Sequence, residues 1–407
     1  MKLKIKIMKA LVFLCIVGFV FSCQKSNILE DNQQIITDVS KLSTMNNEMA
    51  WDIFIEEAKA NPKKNVLISP WSIQTALSMA LNGAGTMTLD EMRKLMYCDG
   101  CDPNLINEQQ QKLALLLSNR SGHPSVTISN SYFYDKSRIN LNQSFQKKLE
   151  SYYDCSFRPE SFGNEVQSLE NINNRVKSST HGKIDKVLNK ITQDDAAFLI
   201  NALHFKADWA RGFDPKMMSK NDFTKADGSK ITSDFVNGDV NLPFAFQGDF
   251  MIADIPFRDS TYSLSLITTT SLSAPKSLTK EVYKSLLSSL RPGRIMLTFP
   301  KMKLSYENNL IPSLQKLGVK SAFSENSADF KAMGTASKNI FINQFLHKAV
   351  LEVDEKGAEG AAVTTIGFGV TSVPPTLLFN KPFYVVLRHI QSNTIMFISF
   401  VVDSPIQ

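Results

Sequence analysis

Apolar residues recur at Leu42, Met45, Met49 and Ile53, with Ile55 beside them, and polar residues fill most of the intervals. Steps of three and four gather such side chains on one helical face, so a helix is predicted over residues 40–60, and Pro62 just beyond it agrees with a stop. Val66-Leu67-Ile68 reads as a short buried strand. Ser69-Pro70 then opens a second helix, because serine is a favoured cap and proline is tolerated in the first turn. Five later stretches, 125–134, 197–205, 251–269, 294–299 and 382–402, favour strands through their β-branched and aromatic residues. They alternate with polar segments in no regular strand-helix rhythm. No fixed-period repeat, low-complexity block or linker divides the chain after its first 39 residues, which predicts one mixed α+β domain over 40–407.

The beginning of the chain has a different character. Lys2, Lys4, Lys6 and Lys9 precede an apolar stretch from residue 10 to 21 that is short for a membrane span and ends at Ser22-Cys23. Residues 1–22 therefore read as an export signal. Val20-Phe21-Ser22-Cys23 resembles a bacterial lipobox, with Cys23 as the lipidated residue and Phe21 an uncommon occupant; plain signal cleavage is the alternative. On the lipobox reading, residues 23–39 tether the domain to a membrane of the bacterial envelope.

Composition then narrows the chemistry. A chain of 407 residues with 43% apolar residues can bury a large core and is neither disordered nor disulfide-dense. The net charge of +6 falls to +2 without the four leading lysines, and aromatic and basic residues do not interleave, so no nucleic-acid partner is implied. Cys15 and Cys23 lie in the leader, which leaves Cys98, Cys101 and Cys155. Cys98-Asp-Gly-Cys101 has metal or redox spacing, but zinc would need a second ligand pair that is missing; a local disulfide or two free thiols remain. Common hydrolase, phosphate-loop and zinc-protease motifs are absent from the sequence, and His123, His181, His204, His347 and His389 stand apart. No catalytic residue, metal or cofactor is nominated.

The segment from Gly360 to Asn380 carries no charge, yet Gly360, Gly367, Gly369, Pro374 and Pro375 give it the composition of a loop. Ala358, Gly360, Ala362, Thr364, Ile366 and Phe368, at alternate positions, are small or apolar, while Glu359 falls in the opposite set. That is the period of a strand with one buried face. It fits an ordinary buried strand, or a segment that slides between two existing strands.

Asn65-Val-Leu-Ile-Ser-Pro-Trp-Ser72 with Asn82-Gly-Ala-Gly-Thr86, Thr180-His-Gly-Lys-Ile184, Asn201-Ala-Leu-His-Phe-Lys-Ala-Asp-Trp209, Phe299-Pro-Lys301, Ala328-Asp-Phe330, His347-Lys-Ala-Val350, Asp354-Glu-Lys-Gly357 and Phe379-Asn-Lys-Pro-Phe383 are similar, in this order, to the signatures of the serpins. The resemblance spans about residues 40–405. It implies an α+β serpin fold with three β-sheets, eight or nine helices and an exposed reactive-centre loop at about 355–375. It also implies a suicide inhibitor of serine proteases, and by extension of cysteine proteases, rather than an enzyme. The target cuts the loop, forms an acyl-enzyme, and is carried off as the loop joins the central sheet.

By the same resemblance, Glu355, Gly357, Ala358, Glu359, Gly360, Ala361 and Ala362 match the hinge, departing from it only at Gly360, where alanine is commoner. Family spacing from Glu355, and back from Pro374-Pro375, places the cleaved bond at Thr371-Ser372, with Val370 and Phe368 as shifted alternatives. A threonine there suits elastase-like or broad-specificity targets, and the lack of Lys or Arg between Lys356 and Lys381 disfavours trypsin-like ones. Ser69, Ser72, Asn201 and His347 correspond to the family's shutter. Trp209, Lys301 and Glu355 correspond to its breach, with Lys301 and Glu355 as an ion pair. Residues 95–120 lack the basic cluster of glycosaminoglycan-activated members, and a monomer is expected. Two other classes stay open: a non-inhibitory binding lipoprotein of this fold, cut only as substrate, and an envelope hydrolase.

Overall fold

The computed structural model describes residues 39–118, 125–269, 278–358 and 374–406. Eight α-helices lie among them. The first spans 39–60; Leu42, Met45, Met49 and Ile53 are buried along it, while Ile55, off that stripe, is half-buried. The second, Pro70–Leu81, begins as the Ser-Pro pair predicts, but Ser69 makes no side-chain cap bond. Its hydroxyl is buried without a partner among the described residues, and its amide is turned to another use.

The predicted strands form, with two divisions. The 251–269 stretch is two strands, Phe250–Pro256 and Tyr262–Thr269, parted by a turn at Arg258–Ser260, and 382–402 is likewise Phe383–His389 and Ile395–Val401. These four lie side by side in a nine-stranded sheet and supply much of the core: all positions of Tyr262–Thr269 and Phe383–His389 are buried. Burial on both faces explains why they read as continuous apolar runs. Some polar side chains there are matched internally, as where Arg388 and Ser265 both donate to Asp254, at 2.9 and 2.6 Å, while Ser263 Oγ and Arg388 Nε are buried without a hydrogen-bond partner among the described residues.

Pairing divides the strands into four groups rather than three sheets, because the central sheet is split. One half is Ser156–Glu160, Ser125–Asp135 and Ala197–Asp208, with Gly357–Ala358 at its edge; the other is Met302–Asn309 paired with Leu346–Val353. No hydrogen-bonded pairing joins Ala197–Asp208 to Leu346–Val353 among the described residues. Helix Pro70–Leu81 packs beneath the split, and helix Glu165–Ser179 with the turn after it lies above.

Candidate functional site

Between the two halves lies a cavity of about 440 Å³, walled by residues 196–202 on one side and 336–348 on the other. Side chains of the 197–208 strand alternate across it. Asn201 points to Ser72 of the helix below, while Ala202 packs with Val176 and Ile184 above, and His204 meets His181 at 4.9 Å between ring centroids. At the near end the position is already entered: Gly357 and Ala358 pair antiparallel with Asp208 and Ala207. Gly357 has φ +139°, and a Cβ there would stand 2.4 Å from the Ala207 carbonyl oxygen. Only glycine fits at that point.

The start of helix Pro70–Leu81 touches both halves. On one side the Ser72 hydroxyl donates to Asn201 Oδ1; Asn201 Nδ2 donates to Asn130 Oδ1 at 2.7 Å, and Asn130 Nδ2 to the Tyr153 carbonyl at 2.7 Å. On the other side the Ser69 amide donates to His347 Nε2 at 3.1 Å. Burial pushes His347 down to about 4, so its imidazole is neutral and able to accept that bond. The four residues grouped by the family resemblance thus form two separate arms, one per half-sheet, and not one closed network.

Trp209, Lys301 and Glu355 meet at the near end. Trp209 stacks on Phe257 at 4.5 Å and its Nε1 donates to the Asp354 carbonyl at 2.9 Å. Backbone bonds from Trp209 to Lys356 (3.0 Å) and from Phe213 to Glu355 (2.9 Å) fix the chain entering the hinge. The Lys301 ammonium lies 2.7 Å from the Glu355 carboxylate. Burial alone would raise the Glu355 pKa, but the Lys301 contact and the charge of Lys356 hold it below the ordinary glutamate value.

Cys23, Glu359, Gly360, Ala361, Ala362, Phe368, Val370, Thr371 and Ser372 lie outside the described residues. Cys98 and Cys101 are joined by a disulfide, and Cys155 is a buried thiol pushed up to about 12 by burial. No group of three metal-ligating side chains occurs among the described residues. Two features of the site escaped the sequence reading. Asn130 sits in an otherwise strand-favouring stretch, where a buried amide demands a partner; that was the available signal. Lys183 lies inside the Thr180–Ile184 signature, which assigned it no role; it ties the turn above the gap to Glu352 at 2.7 Å.

Among the described residues, then, the central sheet is in two parts, with a glycine hinge at the mouth of the gap and a helix beneath it bonded to both halves. The matching family model is that of serpins (serine protease inhibitors), over residues 44–404. Iripin-1 of Ixodes ricinus is 30% identical over 371 residues, covering 88% of this chain and 93% of that one. Serine proteinase inhibitor 2.4 of Apodemus sylvaticus is 28% identical over 397 residues, covering 93% of each. Among solved structures, the thermophilic serpin tengpin in its native state superposes with a TM-score of 0.78 at 28% identity, over 89% of this chain and 94% of that one. The chain belongs to the serpin family.

Proposed function

We propose that this serpin is a covalent suicide inhibitor of serine endopeptidases of elastase-like or broad specificity, with cysteine proteases as further targets, cut at Thr371-Ser372. The observation that carries the reading is the pairing of Gly357 and Ala358 with Ala207 and Asp208 at the mouth of a strand position otherwise unpaired among the described residues. Continuing that antiparallel register sets Gly360, Ala362, Thr364, Ile366 and Phe368 opposite Phe205, Leu203, Asn201, Leu199 and Ala197, which line the lower face with Ala207. The small or apolar set of the loop would then be the set that is buried.

The protease supplies nucleophile, base and oxyanion hole, and the serpin supplies the pull. Adding about fifteen residues to the sheet forms a comparable number of ladder bonds, on the order of 10 kcal/mol before side-chain burial is counted. That rivals the stability of a whole domain. An acyl-enzyme dragged away by it loses its catalytic geometry before water can deacylate it. We further read residues 1–22 as a lipoprotein signal and Cys23 as the lipid anchor, which would place the inhibitor in a bacterial envelope; this rests on the leader pattern alone.

Incubation with an elastase-like protease tests the inhibitory reading. A denaturant-resistant complex of serpin and protease, with the loop cut after Thr371, is the expected result; cut chain without complex would make the protein a substrate.

A further inference from the structure

The far end of the gap is tied by side chains that none of the recognised motifs includes. The turn 192–195 leads into the 197–208 strand and is fixed to its own half by Arg138, whose Nη1 donates to the carbonyls of Thr192 at 2.8 Å and Asp195 at 2.7 Å. Asp195 is 2% exposed. One of its carboxylate oxygens accepts from the Thr192 amide (2.6 Å) and hydroxyl (2.9 Å). The other reaches across: Asn343 Nδ2 donates to it at 2.6 Å and Gln344 Nε2 at 3.3 Å. Residues 342–345 belong to the opposite half, since Ile342 N donates to the Ala322 carbonyl (2.8 Å) and Leu310 N to that of Phe345 (2.9 Å). An exposed Lys338–Asp194 pair at 2.9 Å runs alongside. At this end one buried carboxylate joins two half-sheets whose own strands share no ladder among the described residues, beside a short ladder of Ile139–Leu141 with Gly334–Ala336.

The register at the near end tells how far an entering strand travels. Gly357 faces Asp208 and Ala358 faces Ala207, so stepping antiparallel brings position 368 to Ala197, where the strand begins, and position 371 to Asp194. A fully inserted loop arrives at the Asp195–Asn343 contact.

We propose that Asp195 and Asn343 are positioning residues for strand insertion: a far-end latch that holds the half-sheets together until the entering strand reaches it. The inference rests on the trap reading above. Because the contact is buried and charge-assisted, it belongs to the stronger class of hydrogen bond, and its rupture weighs on the rate at which the sheet opens along its full length. With the latch gone, the uncut loop meets a lower barrier.

The test is Asn343→Ala in the full chain, incubated intact below its melting temperature while conversion of uncut protein to a denaturant-resistant form is followed. Conversion about ten-fold faster than wild type is expected, with the melting temperature of the nicked form unchanged. A packing defect alone would lower the melting of intact and nicked forms alike. If Asn343→Ala does not accumulate, Asp195→Asn, which keeps the shape and removes the charge, is expected to convert about three-fold faster. An unchanged conversion rate, in a chain whose wild type gains heat stability on nicking, overturns the latch and leaves the trap standing. A wild type that gains none overturns both.

Discussion

The Lys301 ammonium stands 2.7 Å from the Glu355 carboxylate, joining the strand pair of one half-sheet to the residue from which the hinge departs. Glu355 is largely buried and Lys301 partly so, which makes the contact tighter than an open surface pair yet still modest, about 1 kcal/mol. Lys301→Ala is expected to lower the melting of the intact serpin slightly and to hasten its spontaneous conversion a few-fold, as followed by loss of complex-forming activity at constant temperature. Unaltered conversion would remove this pair from control of the near end.

Gly357 is the second point of control. With φ +139° and no room for a Cβ beside the Ala207 carbonyl, Gly357→Ala has to unpair the hinge or strain it, at a cost of about 1–3 kcal/mol. More serpin should then be cut per protease trapped. Titration of a target protease reads this directly, and an unchanged stoichiometry would show that residues 357–358 need not stay paired.

His347 gives a pH dependence of definite sign. Its folded pKa, pushed by burial to about 4, lies below the ordinary 6.5, so between those values the unfolded chain binds a proton that the native state does not. Stability contributed by the neutral imidazole is whole above about pH 6.5 and is lost as pH falls toward 4, about 3 kcal/mol in total. His389, also held to about 4 by burial and by Arg388, loses stability in the same window. Denaturant midpoints measured from pH 7.5 to 4.5 are expected to fall mainly below 6.5. A flat profile to pH 5 would mean that neither imidazole is held neutral.

Loop substitutions separate entry into the sheet from recognition by the protease. Ala358→Arg, at a position already paired with Ala207, is expected to unpair the hinge in the intact protein and turn the inhibitor into a substrate, because a charge would have to stay in the sheet as the loop joins it. Thr371→Arg should recruit trypsin-like proteases. Retained inhibition by the first variant would count against insertion; failure of the second would move the cleaved bond.

How much of this was legible in the chain depended on how far apart the partners lie. The stripe Leu42, Met45, Met49 and Ile53 announced its helix because the pattern is local. The paired strands within 251–269 and 382–402 ran together because both faces are buried and no alternation marks the turn; Asn393, at φ +54°, was the hidden sign of one. The split sheet could not be read from periodicity, since Ser69 and His347 are 278 residues apart and Asp195 and Asn343 are 148 apart. The first pair was reachable through family motifs. The second joins a polar turn, Thr192-Gln-Asp-Asp195, to an amide within the apolar run Ile340-Phe-Ile-Asn-Gln-Phe-Leu346, and neither segment marks the other as its partner.

Free energy stored in the uncut state is what drives the trap, and it is read by melting the serpin before and after a single nick in the 359–373 segment by a protease it does not trap. Insertion of the freed strand should raise the midpoint by at least about 10 °C. A nicked chain that melts at or below the temperature of the intact one would contradict it.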